Sequence, residues 1–216
     1  MKIILGNKSY SSWSLRPWLV LEHAGIPCEE QVIPLDLPTT AAEIARSSPS
    51  GRVPALTDGD LTVWESLSIC EYLADKYPEK QLWPRDRAAR AMARSVSAEM
   101  HAGFTALRTH CPMKFKETFA PQPLSREVQA DVARIVAIWD ECRRRSEKEG
   151  PFLFGAFSIA DAMFAPVVSR FHTYGVKPAG VAGAWADMMW ALPAMQKWGV
   201  GARAETFRMA RYDQVT

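Results

Sequence analysis

The sequence predicts two domains: an α/β domain with a mixed four-stranded sheet, followed by an all-helical domain. Strand and helix patterns alternate over the first ~80 residues in the order βαβαββα, which packs helices against a mixed sheet. Only helical patterns follow Pro84, and Pro78 and Pro84 bracket the change. The composition, 48% hydrophobic and 23% charged over 216 residues, is that of a folded globular protein. We therefore place the domains at residues 1–80 and 86–216.

The elements of the first domain follow from short apolar runs and turn residues. The predicted strands are 3–5, 31–33, 53–57 and 61–64, and the last two flank the hairpin turn Asp58-Gly59-Asp60. The predicted helices are 15–24, 41–46 and 66–77. Gly25 is suited to the position after the first helix, and Thr40 should cap the second with Glu43 completing a capping box.

The second domain is predicted to contain helices over roughly 86–110, 125–149, 158–172 and 184–198. The third is the best marked, because Ser158 and Asp161 have the spacing of a capping box. Its residues are apolar on most sides, so it should be the central core helix.

Charge and cysteine usage exclude several classes of function. A net charge of +2, from 26 basic and 24 acidic residues, does not suggest a nucleic-acid partner. The four cysteines stand far apart, so neither a metal site nor a redox CxxC motif is predicted. No apolar run is long enough for a signal peptide or a membrane span. We expect a cytoplasmic protein with reduced thiols.

Two groups of residues could carry chemistry. Glu65 and Ser66 place a carboxylate beside the N–H groups of a helix start, which together match the ammonium and carboxylate of an amino-acid head group. A well-capped helix with an acid in its first turn explains the same pair.

The second group lies on the first long helix of the second domain. Its three- and four-residue spacing places apolar, imidazole and cationic groups on one face: Met100, His101, Phe104 and Arg108. This face could line a substrate site, where Arg108 would favour an electrophile that carries a carboxylate. The alternative is that Met100 and Phe104 belong to the core and Arg108 to the surface.

Three motifs at their observed distances, "SPSGRVPAL", "ESLSICEYL" and "FSIADAMFAP", carry a resemblance over essentially the whole chain. The sequence resembles the glutathione S-transferase family, with its thioredoxin-like first domain and helical second domain. The stretch "SSWSLR" at 11–16 is similar to the loop of the serine-type, zeta-like members. Trp13 stands where the zeta pattern has a cysteine.

The resemblance implies a site for glutathione as co-substrate. Val53, before a cis Pro54, would pair with the cysteinyl backbone of glutathione, and Arg52 lies beside it. Glu65 would bind the γ-glutamyl ammonium and Ser66 the carboxylate. Ser11 would donate to the thiolate, with Ser12 and Tyr10 as competitors, whereas Ser14 is expected to cap the helix. Trp13 would contact the electrophile together with the second group above.

The implied function is glutathione transfer to a small electrophile, either as conjugation in detoxification or as a cis–trans isomerisation like that of maleylacetoacetate isomerase. The resemblance also implies a homodimer. Two alternatives stay open: a non-catalytic glutathione-binding module with a transferase fold, and a glutathione-dependent thiol transferase or peroxidase. The last would require a nucleophilic cysteine where position 11 has serine.

Overall fold

The computed structural model describes residues 1–213, apart from the side chains of residues 147 and 211. Its sheet has four strands in the order β2-β1-β3-β4. They are β1 (Lys2–Leu5), β2 (Glu29–Val32), β3 (Ala55–Asp58) and β4 (Leu61–Trp64). β1 pairs in parallel with β2 and antiparallel with β3, and β3 forms a hairpin with β4. The predicted mixed, thioredoxin-like sheet is therefore confirmed.

Three helices accompany the sheet: α1 (Ser12–His23), α2 (Thr40–Ala45) and α3 (Ser66–Lys76). α1 begins three residues earlier than predicted and ends, as expected, before a left-handed Gly25 with φ of +62°. The predicted cap of α2 is wrong. The N-cap is Thr39 without a side-chain bond, because the Thr40 hydroxyl donates to the Pro34 carbonyl at 2.6 Å instead.

The second domain is helical, as predicted, but has more helices than expected. They are α4 (Arg87–Ala102), α5 (Thr105–His110), α6 (Arg126–Ser146), α7 (Ile159–Tyr174), α8 (Gly180–Ala191), α9 (Pro193–Ala204) and α10 (Ala210–Asp213). Across residues 1–213, no helix combines the length and apolar character that a membrane crossing requires.

Two predicted helices are each divided in two. The helix expected over 86–110 stops at Gly103, whose N–H bonds to the Glu99 carbonyl, and Phe104 turns the chain with φ of +63°. The helix expected within 184–198 is interrupted before Pro193, which has no N–H to continue α8 and starts α9.

α7 is the central helix, since it packs against α1, α4 and α8 and nearly all its side chains are buried. The predicted capping box at its start is present. The buried Asp161 carboxylate accepts from the N–H of Leu153 at 2.9 Å, the N–H of Ser158 at 2.9 Å and Nε1 of Trp185 at 3.0 Å. It thereby joins the preceding loop, α7 and α8 at one point.

Replacing Asp161 should destabilise the protein strongly. Asp161→Ala leaves several buried N–H donors without an acceptor, and we expect the free energy of unfolding to fall by about 3 kcal/mol or more. Urea unfolding measures this. The matched control is Asp86→Ala, which removes a cap bond to the Ala89 N–H at an exposed helix start and should cost about 1 kcal/mol. Equal losses in the two variants would contradict the structural role of Asp161.

Candidate functional site

The first turn of α1 carries a short relay of serine hydroxyls. Ser11 is the N-cap, and its Oγ accepts from the Ser14 N–H at 3.3 Å. The same hydroxyl donates to Ser14 Oγ at 2.8 Å, and Ser14 Oγ accepts from the Gly6 N–H at 3.0 Å. The prediction that Ser14 caps this helix is therefore wrong, because Ser14 lies inside the first turn and links it to the end of β1.

Ser12 and Tyr10 lie beside Ser11 but have different partners. Ser12 Oγ accepts from Nη2 of Arg170 on α7 at 3.3 Å. The Tyr10 hydroxyl donates to Oδ1 of Asp213 on α10 at 3.1 Å. Burial and this hydrogen bond to Asp213 both raise the pKa of Tyr10. Tyr10 is thus a neutral phenol whose proton points to a carboxylate, whereas Ser12 faces a cation.

All three hydroxyls line a cavity of about 430 Å³ between the sheet domain and the helical domain. It is lined by residues of the sheet domain, from the start of α1 and the loop before it, from positions 35 and 44 and from the 51–53 segment, and by residues of the second domain: Tyr10, Ser11, Ser12, Trp13, Leu35, Ile44, Gly51, Arg52, Val53, Arg108, Pro112, Met113, Arg170 and Tyr212.

A second cavity of about 270 Å³ adjoins the first, because both are lined by Trp13, Arg52 and Val53. Its other lining residues are Ser50, Pro54, Glu65 and His101. Of the residues expected to hold glutathione, the two cavities bring Arg52, Val53, Pro54 and Glu65 next to the serines of α1, whereas Ser66 lines neither cavity.

The backbone around the second cavity has the features expected of a peptide site. The Val53–Pro54 bond is cis. Within residues 1–213, neither the N–H nor the C=O of Val53 pairs with another backbone group, because the register of β3 starts at Ala55. Glu65 has φ of +69° immediately before α3, and its side chain is 46% exposed. A peptide ligand can therefore reach both the backbone N–H and C=O of Val53 and the carboxylate of Glu65.

Ser66, the first residue of α3, is fully buried, and its Oγ has no hydrogen-bond partner among the described residues. Buried hydroxyls are normally paired. Together with the N–H groups of the helix start, this hydroxyl is suited to donate a hydrogen bond to a bound carboxylate.

Trp13 lies at the boundary between the two cavities, surrounded by cationic and imidazole groups. The guanidinium carbons of Arg16 and Arg108 lie 4.4 and 4.8 Å from its ring centroid. The His101 ring meets it edge-on at 5.1 Å. The structure thus brings together Trp13, His101 and Arg108, as expected for a shared substrate site.

Met100 and Phe104 do not belong to this site. Met100 is fully buried in the core, Phe104 is 8% exposed, and neither lines the two cavities. The expected single helix face does not exist, because α4 ends before Phe104. Arg108 reaches the cavity from α5, where it also bonds to the carbonyls of Gly103 and Met100 at the end of α4.

Sequence reasoning missed two arginines that give the site its charge. Arg170 stands in the apolar core helix α7, and Arg16 lies inside α1 within the serine motif. Burial lowers the pKa of Arg170 to about 10, and the pKa of Arg16 falls well below its usual value for the same reason. A cation among the apolar residues of a core helix was the signal available in the sequence.

These cations are poorly neutralised. Both Nη atoms of Arg16 are buried without a hydrogen-bond partner among the described residues. Arg108 lowers the pKa of both Arg16 and Arg170 further, which reflects mutual repulsion of the three guanidinium groups. The cavity next to Ser12 is consequently a favourable place for an anion.

Comparison with known proteins identifies both halves of the chain. Residues 10–76 match the N-terminal domain of glutathione S-transferases, and residues 125–198 match their C-terminal domain. Glutathione S-transferase L1 of Arabidopsis thaliana is 24% identical over 163 residues, which are 74% of this chain and 62% of that protein. The chain thus spans less than two thirds of the length of this relative.

Two solved structures share the fold over nearly all of both chains. A glutathione transferase homologue from Burkholderia, solved with bound glutathione, is 23% identical with a TM-score of 0.71 and covers 94% of this chain and 98% of its own. A bacterial maleyl pyruvate isomerase of the zeta class is 20% identical with a TM-score of 0.75, and the coverage is 96% and 100%.

Proposed function

The chain belongs to the glutathione S-transferase family, and from this premise we propose that it adds glutathione to a small electrophile that carries a carboxylate. The observation that carries the proposal is the junction at Val53 and Trp13. On one side of it lies a cavity suited to an amino-acid head group, and on the other a cavity with serine hydroxyls and arginines. Glutathione lying across this junction would place its thiol beside the serines.

The glutathione end of the site uses a half-exposed carboxylate, a buried hydroxyl and the backbone groups of Val53 that stay unpaired within residues 1–213. In this proposal the Glu65 carboxylate binds the γ-glutamyl ammonium, and Ser66 with the α3 N–H groups binds the γ-glutamyl carboxylate. The N–H and C=O of Val53 pair with the cysteinyl backbone as an added strand. Arg52 lines both cavities and supplies a cation near the glycyl end.

The serine end stabilises the thiolate. A free thiol has a pKa of about 8.5, and lowering it by about 2 units requires a preference of about 2.7 kcal/mol for the charged form. One hydroxyl donating to a charged acceptor contributes about 1.5–3 kcal/mol, and a helix start adds up to about 1 kcal/mol. Ser11 is both the N-cap of α1 and a lining residue, so we assign it this role, in which its O–H turns from Ser14 Oγ to the sulfur. Ser12, polarised by Arg170, is the second choice.

The arginines bind the second substrate. Arg108 and Arg170 line the same cavity as the serines, and guanidinium groups bind carboxylates through charge-assisted hydrogen bonds. If the thiolate adds to a carbon–carbon double bond conjugated with a carbonyl, the electron pair moves to the carbonyl oxygen. Protonation then completes conjugation, whereas rotation and loss of the thiolate give the isomerised alkene. The zeta class of the isomerase neighbour supports the second outcome. The homodimer, the cytoplasmic location and a role in detoxification stay predictions.

Removing the hydroxyl that contacts sulfur should raise the pKa of bound glutathione. We expect Ser11→Ala to raise it by about 1–2 units, since one hydrogen bond to a charged acceptor is lost. Ultraviolet absorbance of the thiolate against pH measures it. Tyr10→Phe is the control and should leave the value unchanged, because that hydroxyl is bonded to Asp213. A rise in Ser12→Ala without one in Ser11→Ala would transfer the role to Ser12.

Arg108 should determine the preference for charged electrophiles. In Arg108→Gln, kcat/KM for a cis-enoic acid should fall about tenfold or more relative to the neutral methyl ester of the same compound. The acid-to-ester ratio cancels general damage from the lost carbonyl bonds. Arg94→Gln on α4, which breaks an exposed pair with Glu71 of α3, should leave the ratio unchanged. An unaltered ratio in Arg108→Gln would contradict carboxylate binding by Arg108.

Protonation of His101 should weaken binding at acid pH. Burial and the charge of Arg16 hold the pKa of His101 below 6.5, against the opposite pull of Glu65, whose Oε2 lies 3.8 Å from Nε2. The imidazole is therefore neutral at pH 7, and becomes a cation that competes with the glutathione ammonium for Glu65 only below 6.5. S-methylglutathione, which has no ionising thiol, should bind with constant affinity above this value and more weakly below it.

The control for this pH dependence is His101→Gln, which cannot take up the proton. Its affinity for S-methylglutathione, measured by calorimetry, should stay level across the same range. A parallel loss of affinity in both proteins would assign the effect to another group.

A further inference from the structure

In the loop that leads from β1 into α1, the backbone of Lys8 and Ser9 is held by the helical domain. The N–H groups of Lys8 and Ser9 donate to the two carboxylate oxygens of Glu205, at 2.5 Å to Oε1 and 3.0 Å to Oε2. Glu205 directly follows α9 and lies 196 residues from Ser9 in sequence. One side chain thus bridges two consecutive peptide groups from the far end of the chain.

The backbone carbonyls of these two residues and the Ser9 hydroxyl also bond to the second domain, whereas the Lys8 ammonium pairs with Glu30 of the sheet domain at 2.7 Å. The Lys8 carbonyl accepts from Trp198 Nε1 at 2.8 Å, and the Ser9 carbonyl accepts from the Phe115 N–H at 2.9 Å. The Ser9 hydroxyl donates to the Ala202 carbonyl at 3.1 Å. Every backbone N–H and C=O of Lys8 and Ser9 is therefore paired, and none of the partners belongs to the sheet domain.

The orientation of these peptide groups sets the position of the first turn of α1, which begins at Ser11. The carbonyl of Asn7, one residue earlier, accepts from the N–H of Tyr10 at 3.1 Å and of Ser11 at 2.8 Å. The planar peptide group that contains this carbonyl also contains the Lys8 N–H. The Glu205 carboxylate, by fixing the Lys8 N–H, therefore also fixes the direction of the Asn7 carbonyl. The position of the start of α1, and with it that of the Ser11 hydroxyl, depends on the direction of this peptide group.

We propose that Glu205 is a positioning residue for the thiolate site, its carboxylate holding the Asn7–Lys8 and Lys8–Ser9 peptides so that Ser11 and the start of α1 face the glutathione sulfur. The proposal rests on the proposed function. It adds a residue outside all three sequence motifs, on a segment that belongs to neither cavity lining.

A carboxylate is suited to this role because it only accepts hydrogen bonds and offers two oxygens to two parallel N–H groups. A glutamine of the same size would present an NH₂ group to one of the two donors, so one bond would be lost whichever way the amide turned. The main chain of Glu205 is itself anchored, since its carbonyl accepts from Lys116 Nζ at 3.1 Å.

The test is the pKa of the thiol of bound glutathione in Glu205→Gln, read from thiolate absorbance against pH. Positioning predicts a rise of about one unit, a tenfold lower ratio of thiolate to thiol at a given pH. A purely electrostatic role predicts the opposite sign, because loss of a negative charge favours the thiolate. The sign of the shift therefore distinguishes the two roles.

Affinity for S-methylglutathione is measured in the same variant and should stay within about twofold of wild type, because Glu65, Ser66 and Val53 are untouched. A raised thiol pKa with this affinity retained supports the proposal. An unchanged or lowered thiol pKa overturns it, and so does a parallel loss of S-methylglutathione affinity, which would indicate general loosening of the fold.

The matched control is Glu22→Gln. Glu22 also joins the two domains, through a 2.8 Å ion pair between α1 and Lys197 of α9, but it does not contact the loop. The pKa of the thiol of glutathione bound to Glu22→Gln should equal that in the wild-type protein.

If Glu205→Gln does not fold, Ser9→Ala removes one bond of the same loop, that of its hydroxyl to the Ala202 carbonyl, without leaving an N–H group unpaired. Ser9→Ala should raise the thiol pKa of bound glutathione by less than Glu205→Gln. The proposal is overturned if this variant leaves that pKa unchanged. A wild-type protein that leaves the thiol pKa of glutathione unaltered would instead overturn the proposed function, before any variant is compared.

Discussion

The buried carboxylate of Asp161 is the interaction on which the rest of the structure depends. It collects donors from the loop before α7, from the first turn of α7 and from Trp185 of α8. A carboxylate with this many partners is stable inside a protein only where all of them keep their geometry. The start of α7 is thereby fixed, and α7 contacts α1: the Met163 carbonyl accepts from Arg16 Nε, and the Arg170 guanidinium donates to Ser12.

The site combines buried cations with groups that have no hydrogen-bond partner in the part of the chain that the structure describes. Three guanidinium groups surround Trp13 and Ser12, and their mutual repulsion and burial oppose the folded state. Within residues 1–213, Ser66 Oγ and the Arg16 Nη atoms find no hydrogen-bond partner, which is uncommon for buried polar atoms. Unfavourable terms of this kind accumulate at functional sites, where a ligand supplies the missing partner. The pattern agrees with a site that receives an anionic peptide and an anionic electrophile.

The turn from Lys8 to Ser14 is held by the sheet domain at one end and by the helical domain at the other. Its end at Ser14 is tied to β1 through the Gly6 N–H, whereas its beginning at Lys8 and Ser9 is tied to Glu205 and Trp198. The proposed thiolate site therefore depends on the packed interface between the sheet and the helices, and relative movement of the two should alter this turn before it alters the proposed glutathione head-group site at Glu65.

The sequence by itself determined the mixed sheet, the order of elements, the capping box of α7 and the grouping of Val53, Glu65 and Ser66, because local hydrogen bonding and apolar periodicity specify these features within a few residues. It also indicated Trp13, His101 and Arg108. Only the tertiary structure decided that Met100 and Phe104 belong to the core, that Arg16 and Arg170 charge the site, and that Glu205 holds the turn. These facts depend on the break after α4 and on contacts between residues more than a hundred positions apart, and a side chain's partners at such distances are set by packing, which no local pattern encodes.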